Sequence, residues 1–380
     1  MRNYSIMSKL SRKKFFSGLA GGIIATPFLI KALSDDAYAQ KSDTLQTTYE
    51  KKHIWKMVTT WPPNFPILGE ACNLISKWVY EMSGGRLEIK VYGAGELVPA
   101  LEVFDAVKDG AAELGNGCSY YWAGKIPAAQ FFATVPFGMN AQQMNAWLTS
   151  GGGIKLWQEL YADYNLVPFP VGNSGYQMGG WFNKEINTID DFKGLKMRMP
   201  GLGGKVIEKA GASPVLIAGS EIYTSLERGI IDATEWLGPF HDYKMGFHQI
   251  AKYYYVNGWH EPGTNLEGLV NKEKFEELTP DLQAILKCAM LRANHWVLSE
   301  CETQNSIFLQ KIMEEENVKL RYYSKDILET MRSFSEEVIQ DLIAKDAKSK
   351  KIYASYKKFA ADAKQWAEIS EKQYYQSIMS

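Results

Sequence analysis

The feature that most constrains this chain is residues 187–236, NTIDDFKGLKMRMPGLGGKVIEKAGASPVLIAGSEIYTSLERGIIDATEW, where strand-like and helix-like periodicities alternate within fifty residues. At 195–199, Leu195, Met197 and Met199 point one way and Lys196 and Arg198 the other, a period of two that specifies a strand with one apolar face. Pro200 and Gly201 stop it. A Gly-rich turn, 201–204, leads into a short helix at 206–210 that Gly211 ends, and Ser220 reads as the N-cap of a helix over 221–228, with Glu221 at its favourable end and Gly229 beyond it. A strand at 230–236 follows. Strand, helix, strand, helix, strand is the unit of a mostly parallel α/β sheet, whose ligands sit at the carboxyl ends of the strands. Arg198 and Glu235 occupy such ends.

A partly buried arginine suits a planar anion, because its fork of donors meets a carboxylate in two parallel bonds, each charged bond contributing roughly 1.5–3 kcal/mol. The same residues also fit an Arg198–Glu235 ion pair that only holds the sheet together. Residue chemistry alone leaves both readings open.

Asp191-Phe192-Lys193-Gly194-Leu195-Lys196-Met197-Arg198-Met199-Pro200 resembles the D-x-x-G-x-K-x-R-x-P signature of the substrate-binding proteins of tripartite ATP-independent periplasmic (TRAP) transporters. Glu221-Ile222-Tyr223, Leu226-Glu227-Arg228-Gly229, Ile231-Asp232-Ala233 and Glu235-Trp236 match the same family. The runs Tyr120-Tyr121-Trp122-Ala123-Gly124-Lys125, Gly175-Tyr176-Gln177-Met178-Gly179-Gly180 and Gly258-Trp259-His260-Glu261-Pro262-Gly263 are similar to its 2-oxo acid binding branch, and the similarity extends from about Trp55 to the C-terminus. The resemblance implies a two-domain α/β fold of the periplasmic-binding-protein (Venus flytrap) type with a long C-terminal helical region. It implies that Arg198 binds the substrate carboxylate, and that the Gln177 side-chain oxygen, the Glu235 carboxylate and the Trp236 backbone carbonyl hold a metal cation that the substrate helps to chelate. Tyr121 and Trp236 would line the substrate.

Oxygen donors suit a hard cation, Na⁺ or Ca²⁺. Arg198, Glu235 and a monocarboxylate sum to −1, so a monovalent ion neutralises the site and Na⁺ is the expected cation, with Ca²⁺ the alternative. A chelate through carboxylate and adjacent oxygen accepts a 2-oxo or 2-hydroxy acid and leaves a plain fatty acid with an unfilled coordination position, a mismatch of roughly 1–3 kcal/mol. The cargo expected is therefore a pyruvate-like 2-oxo monocarboxylate for delivery to TRAP membrane subunits.

The N-terminus reads as an export signal, not fold. Lys9, Arg12, Lys13 and Lys14 precede an apolar run at 15–30, and Ala37-Tyr38-Ala39 is a small-x-small cleavage site. The run is too short for a membrane span. Ser11-Arg12-Lys13-Lys14-Phe15-Phe16 resembles the twin-arginine signal with lysine for the second arginine, and general secretion stays open. Loss of residues 1–39 removes six Lys or Arg and two Asp, a net +4, and takes the formal charge from −1 to −5, which does not suit nucleic acid. A periplasmic location follows. Cys72, Cys118, Cys288 and Cys301 lack the close spacing of a zinc site and leave a disulfide or free thiols equally open.

The expected division is a signal over 1–39, a first α/β domain over 40–170, a second over 171–258, a mainly helical return to the first over 259–334, and a C-terminal helix over 335–380. In that helix Ile352, Tyr356, Phe359, Ala363 and Trp366 form an apolar stripe. The resembled branch implies that such a helix reaches across a homodimer; packing on its own domain is the alternative.

Enzyme motifs fail on inspection. Gly201-Leu202-Gly203-Gly204-Lys205 lacks the spacing of a Walker loop and of a dinucleotide fingerprint. In Gly172-Asn173-Ser174-Gly175, Tyr176 stands where a nucleophile elbow needs glycine. His241 and His248 lack metalloprotease spacing. A binding protein is expected, with a periplasmic enzyme on the same scaffold as the rival and a receptor for a sensor kinase as a third reading.

Overall fold

A computed structural model of the chain describes residues 51–379, and the export-signal expectation for 1–39 lies outside them. The chain opens with β1 (His53–Thr59), α1 (Leu68–Ser83), β2 (Leu87–Tyr92), α2 (Val103–Lys108), β3 (Leu114–Gly117), α3 (Ala141–Thr149), α4 (Gly153–Ala162) and β4 (Leu166–Asn173). Helix α1 buries Leu68, Cys72, Ile75 and Val79 along one stripe and ends at Gly84 in the left-handed region. The second group is β5 (Gly180–Phe182), β6 (Lys196–Arg198), α5 (Gly201–Lys209), β7 (Ser213–Val215), α6 (Gly219–Glu227), β8 (Ala233–Thr234), α7 (Pro239–Lys244), α8 (Phe247–Ile250) and β9 (Tyr253–Tyr255). Last come β10 (Asn265–Asn271), α9 (Lys272–Glu276), the long α10 (Pro280–Glu314), β11 (Lys319–Arg321), α11 (Lys325–Lys345) and α12 (Ala347–Ile369).

Two sheets result. The first runs β2-β1-β3-β10-β4 and the second β11-β9-β5-β8-β6-β7. β1 is parallel to β2 and β3, and β10 runs antiparallel between β3 and β4. In the second sheet β6 is parallel to β7 and β8, and β5 is antiparallel to β8 and β9. We call the two sheets with their flanking helices the first and second lobes.

The chain leaves the first sheet after β4, through 174–179, and re-enters it before β10, through 256–264. These crossings lie side by side: the Gly258 amide donates to the Tyr176 hydroxyl at 3.1 Å, Gln177 N to Glu261 O at 3.2 Å and Gly179 N to Tyr255 O at 2.6 Å. A Cβ on Gly258 would lie 1.9 Å from the Gln177 carbonyl oxygen, so only glycine lets the two backbones meet. The chain enters the second sheet again at β11, which pairs parallel with β9. α11 then packs on α5 of the second lobe and α12 on α4 of the first.

Three local expectations differ from the structure. The glycines of 201–204 form the first turn of α5 itself, with Pro200 as N-cap, and residue 201 has to be glycine because it adopts φ +60° and a Cβ there would meet Tyr120 Cβ at 2.9 Å. α6 begins at Gly219 with Ala218 as N-cap, so Ser220 lies inside the helix. β8 is two residues long, because the Ile230 and Ile231 amides still turn back to Ser225 O at 2.9 and 3.2 Å. The four cysteines are free thiols, three of them buried. Ile352 and Tyr356 of the C-terminal stripe are buried against the first lobe, while Trp366 is 65% exposed.

Candidate functional site

Parallel pairing explains why one arginine and one glutamate meet. β6 pairs with β8 with Arg198 opposite Thr234, and the Glu235 amide donates to Arg198 O at 3.2 Å, so Arg198 at the end of β6 and Glu235 just past β8 come to one spot. Arg198 and Glu235 are buried, and the Arg198 Nη1 donates to Glu235 Oε1 and, at 3.3 Å, to its carbonyl. The Trp236 ring lies 5.0 Å from the guanidinium carbon, a cation–π stack. Trp61 and Phe65 of the first lobe set their edges on that ring at 6.4 and 6.1 Å.

Gln177 lies on the first crossing, where its backbone amide donates to Glu261 O at 3.2 Å. Its Nε2 donates to Ser174 Oγ at 2.9 Å, and its Oε1 is buried without a partner. The second crossing brings His260 and Glu261, both buried. His260 Nε2 is 3.5 Å from Glu235 Oε2, and Glu261 accepts from Thr264 Oγ1 at 2.5 Å. Glu235, His260 and Glu261 each offer one ligand atom within 4.8 Å of the others. Tyr121, half-buried after β3, lies in the field of Arg198 and sets its ring edge to Trp61 at 6.4 Å. A groove of about 630 Å³ opens beside the site and is lined by Tyr120, Tyr121, Met199, Pro200 and Leu216, without the buried polar residues.

The electrostatics are those of charge held away from water. Burial pushes the Glu235 carboxyl up to about 7, against the pull of Arg198; burial is also the largest single influence on Arg198 and lowers its basicity, but Glu235, Tyr121, Tyr120 and Glu261 together raise it. Burial, then the neighbouring Glu235 charge, moves Glu261 up to about 7. Burial drops His260 to about 4, so the imidazole is neutral.

Among the described residues Gln177 Oε1, Glu235 Oε2, Arg198 Nε and both His260 ring nitrogens are buried without a hydrogen-bond partner. A buried lone donor or acceptor costs about 1–3 kcal/mol, so the unpartnered atoms of the touching Arg198, Glu235 and His260, with Gln177 on the adjoining crossing, fit a site shaped for a guest with both a cation and an anion. Unpartnered oxygens suit a hard metal ion, and the guanidinium suits a carboxylate.

The structure brings Arg198, Tyr121, Glu235 and Trp236 together, and Gln177 lies on the adjoining crossing, where its backbone amide donates to Glu261 O at 3.2 Å. Sequence reasoning missed His260 and Glu261. Their signal was present in the Gly258–Gly263 motif, an acid and a histidine between two glycines, but nothing local says that this segment lies against Gln177.

Comparison with known proteins gives a consistent set of likenesses. Residues 57–346 match the family model for bacterial extracellular solute-binding protein, family 7. A monocarboxylate 2-oxoacid-binding periplasmic protein of Nostoc is 42% identical over 320 residues, 84% of this chain and 87% of that protein. A TRAP periplasmic solute-binding protein of Pseudoalteromonas atlantica, solved with bound sodium and pyruvate, is 45% identical and superposes with TM-score 0.84, covering 86% of this chain and 100% of that one. One from Colwellia psychrerythraea, solved with calcium and pyruvate, is 43% identical with the same TM-score and the same coverage of both chains.

Proposed function

From the premise that the chain belongs to the family 7 extracellular solute-binding proteins, the receptors of TRAP transporters, we propose how it holds its cargo. A receptor of this family captures a solute and performs no chemistry on it. The cargo is a 2-oxo monocarboxylate of the pyruvate type, closed between the two lobes and passed to TRAP membrane subunits in the periplasm.

The observation that carries the reading is the buried Arg198–Glu235 pair with Glu235 Oε2 left unpartnered, next to a crossing on which Gln177 Oε1 is also buried and unpartnered. Arg198 fixes the substrate carboxylate by charged hydrogen bonds. Gln177, Glu235 and the Trp236 carbonyl hold the cation, and the substrate completes its shell with one carboxylate oxygen and the 2-oxo oxygen. Trp236 and Tyr121 enclose the small acid. The cation draws the electron density of both substrate oxygens, so an acid with oxygen at C2 gains a bond that a fatty acid does not.

Na⁺ balances Arg198, Glu235 and a monocarboxylate. Glu261 is the observation that favours a second reading: when ionised it takes the count to −2, which Ca²⁺ neutralises, and such a site accepts a 2-hydroxy acid equally well. The exposed second half of the C-terminal stripe, with Trp366 65% and Ile369 71% exposed, supports a homodimer in which α12 covers a second copy.

Pyruvate titrations followed by tryptophan emission test the assignment. Arg198→Lys replaces the bidentate fork with a point donor and is expected to weaken binding roughly 10- to 100-fold. Gln177→Ala and Glu235→Gln are expected to abolish the cation requirement together with most of the affinity. Wild-type binding in either cation-site variant would return Arg198 and Glu235 to a purely structural pair.

A further inference from the structure

We infer that His241 is the closing latch of the molecule, a positioning residue of the second lobe that holds the first-lobe loop 61–68 shut over the ligand. The inference rests on the receptor reading, since only a molecule that opens and closes needs a latch.

The histidine sits on α7, which packs along α10 and is also tied to the second sheet. Its neighbour Asp242 accepts from Trp181 Nε1 at 3.0 Å, Tyr254 OH at 2.8 Å and Leu237 N at 3.2 Å, which ties α7 to β5 and β9 of the second sheet. From that mount the buried His241 places Nε2 3.0 Å from the Pro66 carbonyl oxygen of the first lobe. A carbonyl can only accept, so Nε2 carries the proton.

The receiving loop is shaped in advance. Ile67 sits at φ 59°, ψ −61°, the centre of a γ-turn that the Leu68 amide closes on Pro66 O at 2.7 Å. A β-branched residue is an outlier there, and such strain persists only where the surroundings over-determine it. Ile67 is buried at the start of α1, and Pro62, Pro63 and Pro66 stiffen the segment before it. The loop therefore offers the Pro66 oxygen in a fixed direction and keeps one hydrogen bond to it when His241 is absent.

The latch touches the ligand chamber through aromatic rings. Phe65 stacks on the His241 imidazole at 5.5 Å and 22°, and sets its edge on Trp236 at 6.1 Å. Trp236 is the ring beneath the Arg198 guanidinium. Neither hydrogen bond at Pro66 O involves Gln177, Arg198 or Glu235, so the latch acts on closure and not on recognition.

Stopped-flow release of pyruvate into a competing trap, in Na⁺ and in Ca²⁺, separates the two. With His241→Ala, dissociation is expected to be about tenfold faster, the loss of one buried hydrogen bond, with association within about twofold of wild type and the preference for pyruvate over butyrate unchanged. His241→Gln, which restores a donor, recovers most of the loss. Should His241→Ala fail to fold, His241→Asn, whose shorter amide does not span the gap, carries the same comparison. Dissociation at the wild-type rate overturns the latch, and so does a loss confined to association that glutamine does not rescue. Absence of pyruvate binding by the wild type with either cation overturns the receptor reading and the latch with it, and that failure is visible before any variant is made.

Discussion

Glu267 sets a pH dependence that is independent of the ligand. Its carboxylate is buried in β10, accepting from the Trp122 indole and, at 3.0 Å, from Tyr161 OH; burial pushes it up to about 8, with those bonds pulling against the shift. The unfolded group titrates at its ordinary 4.5, so the folded protein holds the proton more tightly. That contribution to stability is full below the unfolded value and is lost as pH rises through about 8. Glu267→Gln keeps an acceptor for the indole, gives the tyrosine oxygen a donor and cannot ionise. Melting temperatures measured between about pH 5 and pH 9 are expected to fall more steeply for wild type than for the variant. Parallel curves would contradict it. Glu267 was illegible in the sequence because all seven residues of β10 are buried and no alternation marks its face. Arg198 and Glu235 were legible because each closes a strand beside a glycine- or proline-marked stop. Gln177 was assigned only through the resemblance.

At the scale of elements, the site depends on two backbones in contact. Gly258 has no space for a Cβ against the Gln177 carbonyl, so Gly258→Ala must part the crossings that carry Gln177 on one side and His260 and Glu261 on the other. Pyruvate affinity is expected to fall at least about tenfold while far-UV circular dichroism keeps its native form, because the strain is local to the seam. Unchanged affinity would mean that the two crossings need not touch. The first lobe was readable because its strands and helices are long enough to show a period, as in Leu68–Ser83. The second sheet is built from strands of two or three residues, β8 being Ala233–Thr234, too short for periodicity to mark their ends. The first turn of α5 reads as a loop in sequence because three glycines weaken its helix propensity, while Gly201 stands where Tyr120 comes close, a long-range contact that no local pattern shows.

At the scale of the molecule, two lobes, one seam and one C-terminal helix divide the work. Ile352 and Tyr356 fasten α12 to the first lobe, Tyr356 OH accepting from Met139 N at 2.9 Å, whereas Trp366, Ile369 and Ile378 are exposed. Removing residues 366–380 is expected to convert a dimer into a monomer in sedimentation velocity without changing pyruvate affinity; an unchanged sedimentation coefficient would place the dimer contact elsewhere, or remove it. The stripe was legible as a heptad-like spacing, but which half packs inward depends on where the first lobe ends. The most direct measurement is titration calorimetry of the protein from residue 40 onward with pyruvate, lactate and butyrate, each in Na⁺, in Ca²⁺ and after chelation. Cation-dependent binding of pyruvate, with butyrate silent and all binding lost in Arg198→Ala, is the expected result, and the cation that supports it names the metal. Equal binding of butyrate, or pyruvate binding that survives chelation, would contradict capture by a metal chelate.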